Sequence, residues 1–217
     1  MAITLEDTAR TGYPVLRHQL IGEMAQLALI RWEQRDRLML DHDNQYVRIR
    51  NGTGRDGQPK FKQELVVHAI AMPGTTMEVK QGEEFIRPAP GDRVRLILKG
   101  KAFGNWIEAR KTHRNGTLQV GDLIITGTDL AQAYDQAGKP KGQPITNQQE
   151  ALRIPRGTTV GFYGPLELAE PTEPQWVEAA EQAYLADKLA EQEAKAIILA
   201  DQAPAGGGWD DSEEIPY

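Results

Sequence analysis

The chain has 217 residues, no cysteine, four histidines and a formal net charge of −6. This length suits one well-buried domain with appendages, and the missing cysteine excludes a disulfide framework, a thiolate metal site and a cysteine nucleophile. Residues 167–217 hold 13 acidic residues against only Lys188 and Lys195, which leaves the body before them at +5; such a split suits either a polyanion-binding body with an interacting or competing tail, or an acidic tail that only confers solubility.

No run of eighteen apolar residues occurs, and residues 1–10 carry Glu6 and Asp7 rather than a basic patch before an apolar stretch. The expectation is a cytoplasmic protein without membrane contact. In residues 19–37 both alternating sets are apolar, so a helix and a central strand fit equally. Strand patterns then follow at 46–50 (YVRIR), 61–72, 93–99 (RVRLILK), 105–109, 123–126 and 159–163. Turn signals separate them, among them Asn51-Gly52, Pro73-Gly74, Pro90-Gly91-Asp92 and Gly121-Asp122. Six or seven short strands with such breaks read as a small barrel or sandwich. Residues 135–155 are polar with three prolines and read as a flexible hairpin extension or a nucleic-acid contact.

After Pro171 the composition changes. Thr172 and Gln175 have capping-box spacing, Pro174 suits a first helical turn, and Ala-rich acidic sequence predicts one helix to about Ala200. Trp176, Ala180, Ala183, Tyr184 and Leu189 form a stripe for packing on the body or on a neighbouring subunit. A flexible Gly-rich linker follows at 203–208. The boundaries expected are 1–170 for the main domain, 171–201 for the helix and 202–217 for the linker and tip.

The last nine residues are Trp209, Asp210, Asp211, Ser212, Glu213, Glu214, Ile215, Pro216 and Tyr217. Proline restricts the tip, Ile215 and the tyrosine ring can fill an apolar pocket, and the terminal carboxylate can meet a cation at its rim. This ending resembles the C-terminal tip of bacterial single-stranded DNA-binding proteins, where acidic residues precede Ile-Pro-Phe after a Gly- or Pro-rich linker. It departs in Tyr217 for phenylalanine, in Glu213 and Glu214 for aspartates, in the interrupting Ser212, and in a helix where the family has a long disordered linker. The body looks more like a phage-encoded relative than a host one, which would place it in the bacterial host cytoplasm.

The resemblance implies a mainly β fold: an OB-type five- or six-stranded barrel with a C-terminal acidic helix and a disordered acidic tail. It also implies single-stranded DNA as the ligand, and replication or recombination proteins as partners held by Trp209, Asp210, Asp211, Glu213, Glu214, Ile215, Pro216 and Tyr217. Self-association is a further expectation. Such a barrel holds single strands with a positive groove and aromatic faces. Residues 99–114 read as strand, turn, strand, with Lys99, Lys101, Arg110, Lys111 and Arg114 interleaved with Phe103 and Trp106; Trp106 fits a core position equally well. A second set is Tyr46, Arg48 and Arg50 on one face of a strand, with Phe61 and Lys62 beginning the next, and an ordinary solvated face is its alternative. Arg31, Arg35 and Arg37, with Trp32 and Glu33, form a third.

No P-loop, GxGxxG, GxSxG or HExxH occurs, so the expectation is a non-enzyme without cofactor or metal. Asp41-His42-Asp43 is a metal-like triplet, and would suit a nuclease only with further carboxylates. The rival reading is a protein-interaction module of a phage replication complex or particle without intrinsic DNA affinity.

Overall fold

The computed structural model describes residues 13–17, 20–40, 45–54, 56–81, 83–135, 138–155, 157–171 and 173–202. In chain order these form β1 (Val15–Arg17), β2 (Met24–Asp36), β3 (Leu38–Leu40), β4 (Tyr46–Arg48), β5 (Arg50–Thr53), β6 (Pro59–Phe61), β7 (Gln63–Ala71), β8 (Glu78–Gln81), β9 (Glu84–Ile86) and β10 (Arg93–Lys99). Then come α1 (Lys101–Thr112), a single 3₁₀ turn (Arg114–Gly116), β11 (Leu123–Gly127), β12 (Leu130–Tyr134), β13 (Pro140–Ile145), α2 (Gln148–Ala151), β14 (Thr159–Tyr163), β15 (Leu166–Ala169) and α3 (Pro174–Gln202). The protein is mainly β, as the spacing of turns predicts. The described chain divides into Tyr13–Tyr184, which holds every strand, and a unit whose described part is the remainder of α3.

Eight strands make one mixed sheet in the order β15-β11-β2-β7-β10-β1-β8-β9, with β1 parallel to β10. The sheet ends at β15 and at β9, so it is open and does not close into a barrel. Those terminal strands are only four and three residues long, and they pair inward with β11 and β8 rather than with each other.

The ambiguous segment 19–37 resolves as the long central strand β2, whose two apolar sets serve two cores. Ala25, Leu27 and Leu29 pack into one core with Leu65, Val67, Leu96, Leu98 and Trp106. Ala28 and Ile30 pack on the other face with Ile70, Met72, Ala180 and Ala183 of α3. Between Leu29 and Arg31 the register against β7 shifts by one residue. Because side chains alternate along a strand, this bulge changes which set faces inward: beyond it Trp32 joins the first core, while Arg31, Glu33 and Arg35 take the opposite face.

Residues 101–112 are helical, which corrects the strand expected at 105–109. Gly100, at φ 53°, ends β10, and Ala102, Phe103, Trp106 and Ile107 recur at helical spacing on the face turned to the core. Phenylalanine, tryptophan and isoleucine favour strands in isolation; burial against β10 and β2 overrides that preference. Trp106 is fully buried, and its ring centroid lies 6.3 Å from that of Trp32.

The segment 135–155 is also more ordered than expected. It contributes β13, the edge of a three-stranded sheet with β12 and β14, and the short helix α2. Pro140 and Pro144 are tolerated because β13 has a neighbour on one side only. Across this sheet the Tyr134 and Tyr163 hydroxyls lie 2.6 Å apart. Burial first, and then the Tyr134 hydroxyl, push Tyr163 up to about 12.

α3 begins at Pro174, the proline placed in the first turn, while Thr172 lies outside the described residues; Trp176, Ala180, Ala183 and Tyr184 form the expected packing stripe. Leu189 falls in the other unit and is 58 % exposed. Close seating is permitted by Gly121, which has φ +89° and leaves no room for a Cβ beside Val177.

Trp106→Ala leaves a cavity at the centre of the first core and should cost about 3–5 kcal/mol, read as a lowered urea midpoint. Since Tyr163 titrates higher in the folded chain, its contribution to stability is complete below the ordinary tyrosine pKa and is lost as pH rises through about 12. Absorbance at 295 nm should show one late-ionising tyrosine that moves to lower pH in Tyr134→Phe.

Candidate nucleic-acid interface

The bulge in β2 places Arg31, Glu33 and Arg35 opposite the core containing Trp32, and the neighbouring strands continue the same face. Arg35 is registered with Glu64 of β7, and Lys99 of β10 is the next residue across. The Glu64 carboxylate is held by Arg35 at 2.9 Å and by Lys99 at 3.2 Å. Arg93, Arg95 and Lys99 alternate with the buried Val94, Leu96 and Leu98, so they share this face. In the same way Arg17 flanks buried Leu16, and Lys80 flanks buried Val79. Cations thus outnumber the carboxylates Glu33, Glu64 and Glu78 on one side of five adjacent strands.

Tyr13 organises the centre of this surface. Its backbone carbonyl accepts from Arg95 Nε at 2.6 Å, its hydroxyl accepts from Arg93 at 2.7 Å, and its ring meets His68 edge-on. Burial holds the Arg95 guanidinium below the usual arginine range; neighbouring Arg35 pushes the same way and Glu33 opposes it. An incoming phosphate would relieve that repulsion. Arg35 and Lys99 remain open to it, their side chains 38 % and 44 % exposed.

At the far end of β2 and β7 the backbone forms a three-way junction. Arg37 N–H donates to the Lys62 carbonyl, Lys62 N–H to Ile49, and Ile49 N–H to Arg37. From this ring three hairpins diverge: β2–β7, β3–β4 and β5–β6. The junction gathers the second predicted set. Arg50 is registered with Phe61, Arg48 lies over the Phe61 ring at 5.5 Å and 3.3 Å from Asp36, and Lys60, Lys62 and Tyr46 are exposed. Tyr46 is 57 % exposed. One expectation is corrected: Arg48 and Arg50 do not share a continuous strand, because the chain turns at Ile49 into a second hairpin.

The first predicted set is dispersed by α1. Lys99 belongs to the sheet face described above. Lys101 is exposed on the helix, whereas Phe103 is half-buried against the core and Trp106 is fully buried, with no ring face left for stacking. Arg110 lies 4.8 Å over the Trp32 ring and donates to the Gly116 carbonyl. Lys111 pairs with Glu108 one turn back. Arg114 binds the fully buried Asp122 at 3.1 Å and Glu170 at 3.1 Å; His113 Nε2 is 3.0 Å from the same Asp122 carboxylate. This network ties the end of α1 to the turn before β11 and is structural. Sequence reasoning misses Arg17, Lys80, Arg93 and Arg95, although the alternation of RVRLILK already puts Arg93 and Arg95 beside Lys99.

Among the described residues no cluster of histidine and carboxylate groups could hold a metal ion, and no helix is long and apolar enough to cross a membrane. Asp41, His42, Asp43 and the tip residues 209–217 lie outside the described residues. Comparison of the chain with protein-family models, curated proteins and solved structures found no match.

An anion seated between Arg35 and Arg95 should stabilise the fold. Inorganic pyrophosphate that contributes about 1 kcal/mol would raise Tm by about 2–4 °C for a chain of this size. Arg95→Met should remove most of that increment in a thermal-shift titration.

Proposed function

We propose that this protein binds single-stranded DNA without strong sequence preference. The strand would cross the basic face of the large sheet and run onto the hairpin junction. The observation that carries the reading is the convergence of Arg31, Arg35, Arg95 and Lys99 on one face of the sheet, beside the patch that α3 covers, with Tyr46 and the Arg48–Phe61 pair at the far end of β2 and β7. Phosphates would follow the guanidinium groups, and bases would stack on the exposed Tyr46 and beside the half-buried Phe61, each stack contributing roughly 1–3 kcal/mol. Single strands suit this surface better than duplex, since only splayed bases reach an aromatic ring.

An OB-type relationship is part of the same proposal: OB folds are partly open and carry nucleic acid on one sheet face, and the basic face would stand in that place. The tip, through Trp209 and residues 210–217, would recruit proteins of DNA replication, recombination or repair, in a phage-infected cell as the resemblance implies. The reading assigns no catalytic step to the chain. The carboxylates interleaved on the face favour a second reading, a protein-interaction module, because alternating charge also suits a protein partner.

Fluorescence anisotropy of labelled oligo-dT over a salt series separates these readings. Tight binding that duplex does not compete away is expected, with Arg35→Ala and Arg95→Ala each weakening it and together lowering the salt slope by about 1.4, or roughly 0.7 for each phosphate left without its cation. Lys101→Ala with Lys111→Ala, on α1, should leave affinity and slope unchanged. No binding at low salt would make the protein-interaction module the better account.

A further inference from the structure

The sheet edges are finished differently. β15 is covered by α1, and β13 carries Pro140, Lys141 and Pro144, residues that discourage further pairing. Among the described residues β9 pairs with β8 alone, and its Phe85 and Ile86 are 42 % and 39 % exposed. A bare edge with apolar side chains is a template for another strand.

We infer that β9 pairs antiparallel with β9 of a second copy of this chain, about a twofold axis through Phe85. Residues 83–87 read Glu-Glu-Phe-Ile-Arg. A twofold axis normal to the sheet keeps opposed side chains on the same face only when the register is centred on a residue. Centring on Glu84 sets like charges opposite each other, which disfavours pairing. Centring on Ile86 brings Pro88, which has no N–H to give, into the ladder. Centring on Phe85 sets the two phenylalanines together, Glu84 against Ile86, and Glu83 against Arg87 twice over.

Glu83 and Arg87 are both exposed and neither makes an ion pair among the described residues, so both charges are available for this contact. Within each copy Phe85 lies beside Lys80 on the basic face, while Ile86 lies beside buried Val79. The pairing therefore joins two basic faces on one side of a continuous sheet. A contact of about five residues a side falls below the roughly 1,200–2,000 Å² of stable complexes, so association belongs in the micromolar range. The inference rests on the edge alone and is read without nucleic acid.

Sedimentation velocity across the micromolar range tests it on the full chain, with circular dichroism confirming that each variant is folded. The wild type should pass from monomer to dimer, and Glu83→Arg or Arg87→Glu should each weaken the dimer about tenfold or more. Phe85→Glu should abolish it. An equimolar mixture of the two charge-reversed variants should recover dimer, because every reversed position then faces an opposite charge. A wild type that stays monomeric throughout, or a mixture no more dimeric than its components, would overturn the pairing.

Discussion

The register shift between Leu29 and Arg31 determines what this protein presents to its surroundings. Before it, the odd-numbered residues of β2 face the core beneath α1; after it, the even-numbered ones do. Without the extra residue Arg31, Glu33 and Arg35 would point into an apolar core, where unpaired guanidinium groups are too costly to bury, and Trp32 would point to solvent. With it, Trp32 meets Trp106 and is covered by Arg110, while the charged row comes out beside β7 and β10. The packing of one face and the electrostatics of the other thus depend on one irregularity.

The charged face is balanced rather than saturated. Glu64, nearly buried, is shared by Arg35 and Lys99, and Glu33 lies near enough to temper the repulsion between Arg35 and Arg95. Carboxylates placed this way hold long cationic side chains in position, which would lower the ordering cost of binding the proposed strand. Aromatic rings are divided by the same logic. Phe103 and Trp106 serve the core, and the exposed Tyr46 and half-buried Phe61 lie instead at the hairpin junction, beside the closed triangle of backbone bonds at Arg37, Ile49 and Lys62.

Much of this is legible in sequence, and the failures have physical causes. Strand β10 matches the alternation of RVRLILK, and α3 starts at Pro174, the proline suited to a first helical turn. Segment 99–114 misleads because Phe103, Trp106 and Ile107 satisfy both a strand and a helix, and only the neighbouring sheet decides between them. Strand β13 hides behind prolines that an edge position tolerates. The bulge leaves no local mark: LALIRWEQRD offers apolar residues to both faces, so the change of phase becomes visible only against β7. Arg48 and Arg50 share a face by simple alternation, yet a junction made by residues distant in sequence separates them into two hairpins. For the same reason the sheet face is harder to read than the hairpins, since its cations come from β1, β2, β8 and β10.

The most direct test is to photocrosslink the protein to an oligo-dT carrying 5-iodouracil and to map the linked peptides by mass spectrometry. The account predicts linkage in the β4 and β6 hairpins, at Tyr46 or Phe61, and its loss when Arg35 and Arg95 are replaced together. Linkage confined to α1, between Lys101 and Thr112, would contradict the assignment of the basic sheet face as the path of the strand.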